Sequence, residues 1–148
     1  MAKLVIRGPR QEEFSAWETL WQGYQEFYEA GISDEATRTT WRRFFDPAEP
    51  VNALVAEGEA GLVGIVHYLF HRSTWTVGDY CYLQDLFVGP AVRGSGIGRR
   101  LIQAVYDVAR DQGCSRVYWL THETNAQARH LYDGVADRSG FIQYRRLL

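Results

Sequence analysis

Cysteine is scarce, with Cys81 and Cys114 the only two in 148 residues. Two thiols do not make the disulfide framework of a small secreted domain, so both are expected to be reduced and largely buried. Long apolar runs are missing too. No segment approaches the ~20 residues of a membrane-spanning helix. The start, Met-Ala-Lys-Leu-Val-Ile-Arg, lacks the apolar stretch of a signal peptide. These absences point to a cytoplasmic protein. Charge of one sign is not in excess: the net charge is −2, which excludes a global pull toward nucleic acid or an anionic membrane. Lysine is nearly absent, Lys3 being the only one, but arginine takes its place. Linkers, repeats and low-complexity tracts are also lacking, and the length suits a single domain over residues 1–148.

Aromatic residues are plentiful, at 14%, which suits a packed core with some rings left to line a pocket. Periodicity predicts a strand over 3–7, stopped by Gly8-Pro9. A helix over 11–30 follows, with Phe14, Trp17, Leu20, Trp21, Tyr24, Phe27 and Tyr28 on one face. Ser33-Asp34 offers an N-cap for a second helix ending near Pro47. Strands at 52–57 and 62–70 flank a turn at 58–61, and a third runs over 79–88. The helix at 97–112 is the clearest element, with Ile97, Leu101, Ile102, Val105, Val108 and Ala109 in one stripe. A strand at 116–121, a helix at 125–134 and a last strand at 141–147 complete the order β-α-α-β-β-β-α-β-α-β. The fold class is α/β: a mixed, mostly antiparallel sheet that ends in a parallel crossover around the helix at 97–112.

The chemistry centres on Val88-Gly-Pro-Ala-Val-Arg-Gly-Ser-Gly-Ile-Gly-Arg, between a strand end and a helix start. Gly94, Gly96 and Gly98 allow positive φ and a close approach of N–H groups to a ligand, and the following helix turns its positive end to the same spot. That combination suits a phosphate or pyrophosphate. A dinucleotide fingerprint needs G-x-G-x-x-G, and here the third glycine comes one residue early. A nucleotide-triphosphate loop needs lysine after its last glycine, and here Arg99 follows Gly98.

What remains is R-x-x-G-x-G, formed by Arg93, Gly96 and Gly98. It resembles the coenzyme A pyrophosphate loop of the GNAT superfamily of N-acetyltransferases. The run Val117-Tyr-Trp-Leu-Thr, with Asn125 and Leu131-Tyr132, resembles that superfamily's later strand and helix, particularly in small fungal members that act on histone tails or D-amino acids. The run Tyr82-Leu-Gln-Asp-Leu-Phe-Val88 is similar to the matching strand of the diamine acetyltransferases. The resemblance is close over residues 79–134 and extends to the whole chain in element order. It implies the GNAT fold, with helices on both faces of the sheet, acetyl-CoA as donor and a small-molecule amine as acceptor. Leu86, Phe87, Val88, Arg93, Gly94, Ser95, Gly96, Ile97, Gly98, Arg99, Asn125, Arg129 and Tyr132 would hold the cofactor. The Leu86 N–H would polarise the acetyl carbonyl. Many relatives dimerise through the C-terminal end, so the resemblance leaves a homodimer open.

A free alkylamine, with a pKa near ~10.4, is about one part in a thousand neutral at pH 7, so the amine must lose a proton. Relatives among the diamine enzymes carry glutamate where this chain has Gln84, and glutamine is no base. Asp85 is the adjacent carboxylate. Strand neighbours face opposite ways, so Asp85 is a base if a bulge turns it and otherwise a buried structural acid. His122 and a water chain are the other candidates. Tyr132, protonated at pH 7, would return a proton to the leaving thiolate. Tyr24, Tyr28, Gln84 and Asp85 are the expected acceptor-binding residues, with Glu26 and Glu29 either beside them or on a solvated face, and Phe27 in the core. His67 and His71 share a strand face as pocket-lining groups. With no third ligand near in sequence, no metal is expected. Residues 133–140 separate Tyr132 from Phe141 by more than in most relatives, so the C-terminal sheet is expected to be shorter or rearranged. A protein-tail acceptor and a non-catalytic coenzyme A-binding module are the competing readings.

Overall fold

The computed structural model describes residues 3–148. Its strands are β1 (Val5–Arg7), β2 (Val51–Gly58), β3 (Gly61–His71), β4 (Tyr80–Val88) and β5 (Val117–Tyr118). Its helices are α1 (Phe14–Phe27), α2 (Asp34–Phe44), α3 (Ile97–Asp111) and α4 (Ala126–Val135). The strands lie across one sheet in sequence order. β1 to β4 pair antiparallel, and β4 and β5 pair parallel with α3 as the crossover. This is the mixed sheet that the sequence pattern implies.

Each face of the sheet has its own packing chemistry. On one face, the α3 stripe of Ile97, Leu101, Ile102, Val105 and Ala109 is buried against Ala56, Val66, Tyr68, Cys81 and Leu83. Burying each large aliphatic side chain there contributes about 1.5–3 kcal/mol. On the other face, Trp17 and Trp21 of α1 and Trp41 of α2 pack on Val55, Ile65 and Phe87. Trp17 and Trp41 have ring centroids 5.1 Å apart. Much of the aromatic content is spent in this layer. Gly23 sets its thickness: a Cβ there would stand 2.9 Å from the Phe87 ring, so α1 runs close over β4 only because that side chain is missing. Ser33 caps α2 as expected, its hydroxyl accepting from the Ala36 N–H at 3.0 Å.

Three expectations need correction. Residues 11–13 form a separate 3-10 turn and α1 ends at Phe27, so the helix expected over 11–30 is shorter at both ends. Beyond it Glu29 takes φ 52, which an α-helix cannot continue through. The strand expected at 116–121 pairs only over Val117–Tyr118. The last strand, expected at 141–147, does not form: residues 136–148 carry no helix or strand, and Phe141 is 79% exposed. A strand needs an edge to pair with, and β5 offers two residues. The expected element order therefore loses its final β.

Among the described residues, no helix is long and apolar enough to cross a membrane.

The N-terminal strand is tied to the start of α1 by Arg7. Its guanidinium donates to both oxygens of Glu13, at 2.9 and 2.7 Å, and to Glu57 at 3.3 Å. These bonds from Arg7, opposed by burial and helped by the Arg10 amide, hold the Glu13 carboxyl at about 2, below its ordinary 4.5. A depressed carboxyl contributes stability that is full above its unfolded pKa and is lost as pH falls through the folded one. Glu13→Gln should therefore lower the melting temperature at pH 7. It should also flatten the loss of stability between about pH 4.5 and pH 2. Thermal melts of both proteins across that range check this.

Candidate active site

The site begins with one extra residue in β4. Pairing with β3 runs Val66↔Leu86 and His67↔Asp85, then jumps to Tyr68↔Leu83, so Gln84 is left over as a bulge. Before the bulge Cys81 and Leu83 face α3; after it Phe87 faces α1 while Leu86 and Val88 border the α3 side. The bulge therefore turns Asp85 onto the α1 face, opposite His67. The parallel pairing of β5 stops at Tyr82↔Tyr118, just short of the bulge, and the two chains part. That parting explains why the strand expected over 116–121 is so short.

The opening between the parted strands is a cavity of about 280 Å³. Tyr82, Leu83, Gln84, Asp85 and Leu86 line one side, and Trp119, Leu120, Thr121 and His122 the other. Tyr24 and Tyr28 from the end of α1, Tyr132 from α4 and Gln143 from the C-terminal segment complete it. Asp85 is the only carboxylate in this lining, which holds no arginine or lysine. Burial, and then the charge of Asp85, push the phenols of Tyr24, Tyr28 and Tyr82 upward, while a hydrogen bond with Asn125 pulls Tyr28 back. Three protonated phenols thus surround one acid. Beneath the cavity, His67 Nδ1 lies 3.0 Å from Asp85 Oδ2, and the Trp17 indole N–H donates to His67 Nε2 at 3.0 Å.

A second cavity, of about 330 Å³, lies along the glycine-rich loop and the facing turn of α4. Gly94 and Gly96 both take φ 85, a conformation that favours glycine. Gly96 is the residue before α3, whose first internal bond runs from the Arg100 N–H to the Gly96 carbonyl at 3.1 Å. The amides of Ile97, Gly98 and Arg99 have no partner within the helix and point out of its N-terminus. With the helix dipole behind them they suit an anion such as a pyrophosphate. Gly98 differs from expectation: it does not take positive φ. A Cβ there would make an ordinary contact with Leu131 at 3.4 Å. Arg93 braces the loop, its Nε–H donating to the Val88 carbonyl at 2.9 Å and its guanidinium lying over the rings of Phe87 and Phe27.

The two cavities share Tyr28, Leu86 and Tyr132. Burial pushes the Tyr132 phenol up to about 12, and its ring packs edge-on against Trp119 at 5.3 Å. Asn125 does what an N-cap does, its Oδ1 accepting from the Ala128 N–H at 3.3 Å, and it also lines the loop cavity two turns from Tyr132.

Of the cofactor residues expected from the sequence, Leu86, Phe87, Val88, Arg93, Gly94, Gly96, Ile97, Gly98, Arg99, Asn125 and Tyr132 lie around the loop cavity. Two do not. The Ser95 hydroxyl turns back to the Val92 carbonyl, and Arg129 donates to the Glu123 carbonyl at 2.6 Å. Tyr24, Tyr28, Gln84 and Asp85 all border the other cavity. Phe27 is 54% exposed at the loop cavity instead of in the core, and Glu26 and Glu29 are solvated. His67 lies under the site, not in its lining, and His71 bonds to Tyr118 at the far end of β3. Sequence reading missed Tyr82, Trp119 and Gln143. Only the bulge, the parted strands and the unpaired C-terminal segment reveal them.

Residues 17–134 match the model of the acetyltransferase (GNAT) family. A D-amino-acid N-acetyltransferase of Saccharomyces cerevisiae is 36% identical over 146 residues, which cover 97% of this chain and 91% of that protein. A thialysine N-epsilon-acetyltransferase of Mus musculus is 32% identical over 162 residues, covering 98% of this chain and 93% of that protein. Among solved structures, an aminoglycoside N-acetyltransferase in complex with CoA has the same fold. Its TM-score is 0.84 at 16% identity, over 99% of this chain and 96% of that one. A ribosomal-protein-alanine N-acetyltransferase from Brucella melitensis gives 0.82 at 20% identity, over 98% and 99%. The glycine cradle, the parted strands and the family match over most of the chain lead to one identification: this chain is an N-acetyltransferase of the acetyltransferase (GNAT) family, whose members draw on acetyl-CoA.

Proposed function

We propose that the chain acetylates the primary amine of a small cationic molecule, such as a polyamine or an amino acid, by direct attack of the amine on the donor. The observation that carries this reading is the meeting of the two cavities at Tyr28, Leu86 and Tyr132. One cavity offers an anion cradle and the other a single carboxylate among phenols. The free amides at Ile97, Gly98 and Arg99, with the Gly94 and Gly96 turns, would hold a pyrophosphate, and Asn125 would face the arm that leads from it. Acetyl-CoA, bound there, supplies the activated acetyl group.

The remaining steps belong to this chain's residues. Asp85 attracts the ammonium form of the acceptor and takes its proton, directly or through His122 or water. The Leu86 amide at the junction would donate to the acetyl carbonyl oxygen of a bound donor. Tyr132 holds a proton on its phenolic oxygen, ready for the departing sulfur. An acyl-enzyme has no support: Cys81 and Cys114 line neither cavity, and burial pushes the Cys81 thiol up to about 12. A D-amino-acid acetyltransferase and a thialysine acetyltransferase among the relatives support a small amine as acceptor.

The direct test is calorimetric titration with acetyl-CoA, followed by thiol release against a panel of polyamines, amino acids of both hands and a histone-tail peptide. Saturable binding with release for one small amine class is the expected result. Release with the peptide alone would overturn the small-molecule reading, and binding without any release would overturn the enzymatic one. Tyr132→Phe should lower kcat by about 10²–10⁴-fold, the usual worth of a general acid, with acetyl-CoA affinity unchanged. Gly96→Leu forces a side chain into φ 85, and should abolish cofactor binding while leaving the protein folded by circular dichroism.

The pH dependence follows from Tyr132. A general acid must be protonated, so activity falls only as pH rises through its pKa. With that pKa at about 12, Tyr132 should add no falling limb to the pH profile of kcat/KM near the ordinary phenol value of ~10, and a fall set by loss of the ammonium form of the acceptor should persist in Tyr132→Phe. A falling limb at pH 9–10 that Tyr132→Phe removes would show that burial does not raise this group.

A further inference from the structure

Asp85 is supported from below by two residues that never reach the cavity. His67 on β3 is directly opposite Asp85 in the sheet register, and its side chain is 3% exposed against 12% for Asp85. Trp17 on α1 is fully buried. The contacts run in line: Trp17 Nε1 to His67 Nε2 at 3.0 Å, then His67 Nδ1 to Asp85 Oδ2 at 3.0 Å. An indole N–H only donates. The His67 Nε2 it meets must therefore accept, so that nitrogen carries no proton. The ring proton then sits on Nδ1, where it is donated to the carboxylate. The other rings packed on His67 are Trp21 and Phe44, and neither offers an acceptor. The groups whose charge is felt with that of Asp85 are Tyr24 of α1, Tyr28 just after it and Tyr82 of β4, and His122 lines the same cavity.

We propose that Trp17 and His67 form a positioning unit for the amine-facing carboxylate. Trp17 locks His67 as a neutral donor with its proton on Nδ1, and His67 fixes one oxygen of Asp85 so that the other is presented to the acceptor. The unit keeps a full negative charge in the cavity because the imidazole beneath it stays neutral. His67 is thus not a proton acceptor in the reaction. Its lone pair is occupied by an indole that belongs to the core. This inference rests on the reading that Asp85 meets the amine, and the test separates the two.

The first measurement is the ¹⁵N spectrum of the histidine side chains in the intact protein near neutral pH, with His67 assigned by loss of its signals in His67→Gln. The expected result is a protonated Nδ1 and an unprotonated Nε2. A protonated Nε2 would overturn the lock. Trp17→Phe keeps a ring but removes the N–H, and should release His67 into a mixture of tautomers. An unchanged tautomer in that variant would overturn the role of Trp17.

The second measurement is kinetic. His67→Leu should lower kcat/KM for the amine by about 10- to 100-fold, as misplacement of a reacting group does, with acetyl-CoA affinity unchanged. His67→Gln retains an N–H for Asp85 and a carbonyl for Trp17, and should restore most of that loss. Equal activity in the Leu and Gln variants would reduce His67 to packing and overturn the proposal. If His67→Leu does not fold, the ¹⁵N result and Trp17→Phe still decide it. Full activity in Asp85→Asn would instead overturn the assignment of Asp85, and this role of His67 with it, whatever the tautomer.

Discussion

The site depends on one residue that does not fit. β4 carries Gln84 as an extra position against β3, and from that point the strand is out of phase with a regular ladder. Three consequences follow from the same defect. Asp85 turns toward α1, β5 loses its partner after Tyr118, and the chains separate to leave a cavity where a continuous sheet would have had none. In a regular strand Asp85 would fall on the face of Leu83, against the aliphatic stripe of α3. A carboxylate without a partner in that layer costs several kcal/mol. The acid that serves the cavity is therefore also what penalises the register without the bulge.

The two faces of the sheet divide the work. The α3 face is aliphatic and close-packed, and it ends in a glycine turn that leaves bare amides at the start of α3. The α1 face is aromatic, and its rings pass from the core to the cavity through polar edges: an indole N–H, an imidazole, then phenols. The loop cavity is bordered by small residues and bare backbone amides along the glycine turn. The other cavity holds one carboxylate among phenols. The cavities meet at Tyr132, whose phenol burial pushes upward.

The parts of this protein legible in its sequence are the parts set by neighbours in the chain. The stripe from Ile97 to Ala109 and the glycines at Gly94 and Gly96 are local patterns with local causes, and both appear where expected. Asp85 was legible as a residue but not as a direction, because alternation along a strand cannot reveal where the alternation breaks. The contact from Trp17 to His67 joins positions fifty residues apart, and no local period encodes it. The segment over 141–147 is expected as a strand, yet strands are made by partners, and β5 pairs over two residues only. Ser95 and Arg129 lie within motifs that suggested ligand contact, but each finds a nearer carbonyl.

Along α1 and onto its C-cap, Trp17, Trp21, Tyr24 and Tyr28 follow one another as neighbouring rings, with centroids 6.1, 4.9 and 4.7 Å apart. The first two are core; the last two line the cavity. A single stripe thus passes from rings buried in the core to rings that border the cavity. Gly23 holds the helix to Phe87 at the point of transition. A change of side chain at Tyr24 or Tyr28 would therefore reshape the cavity, while the turns before them keep the scaffold, and the support beneath Asp85, in place.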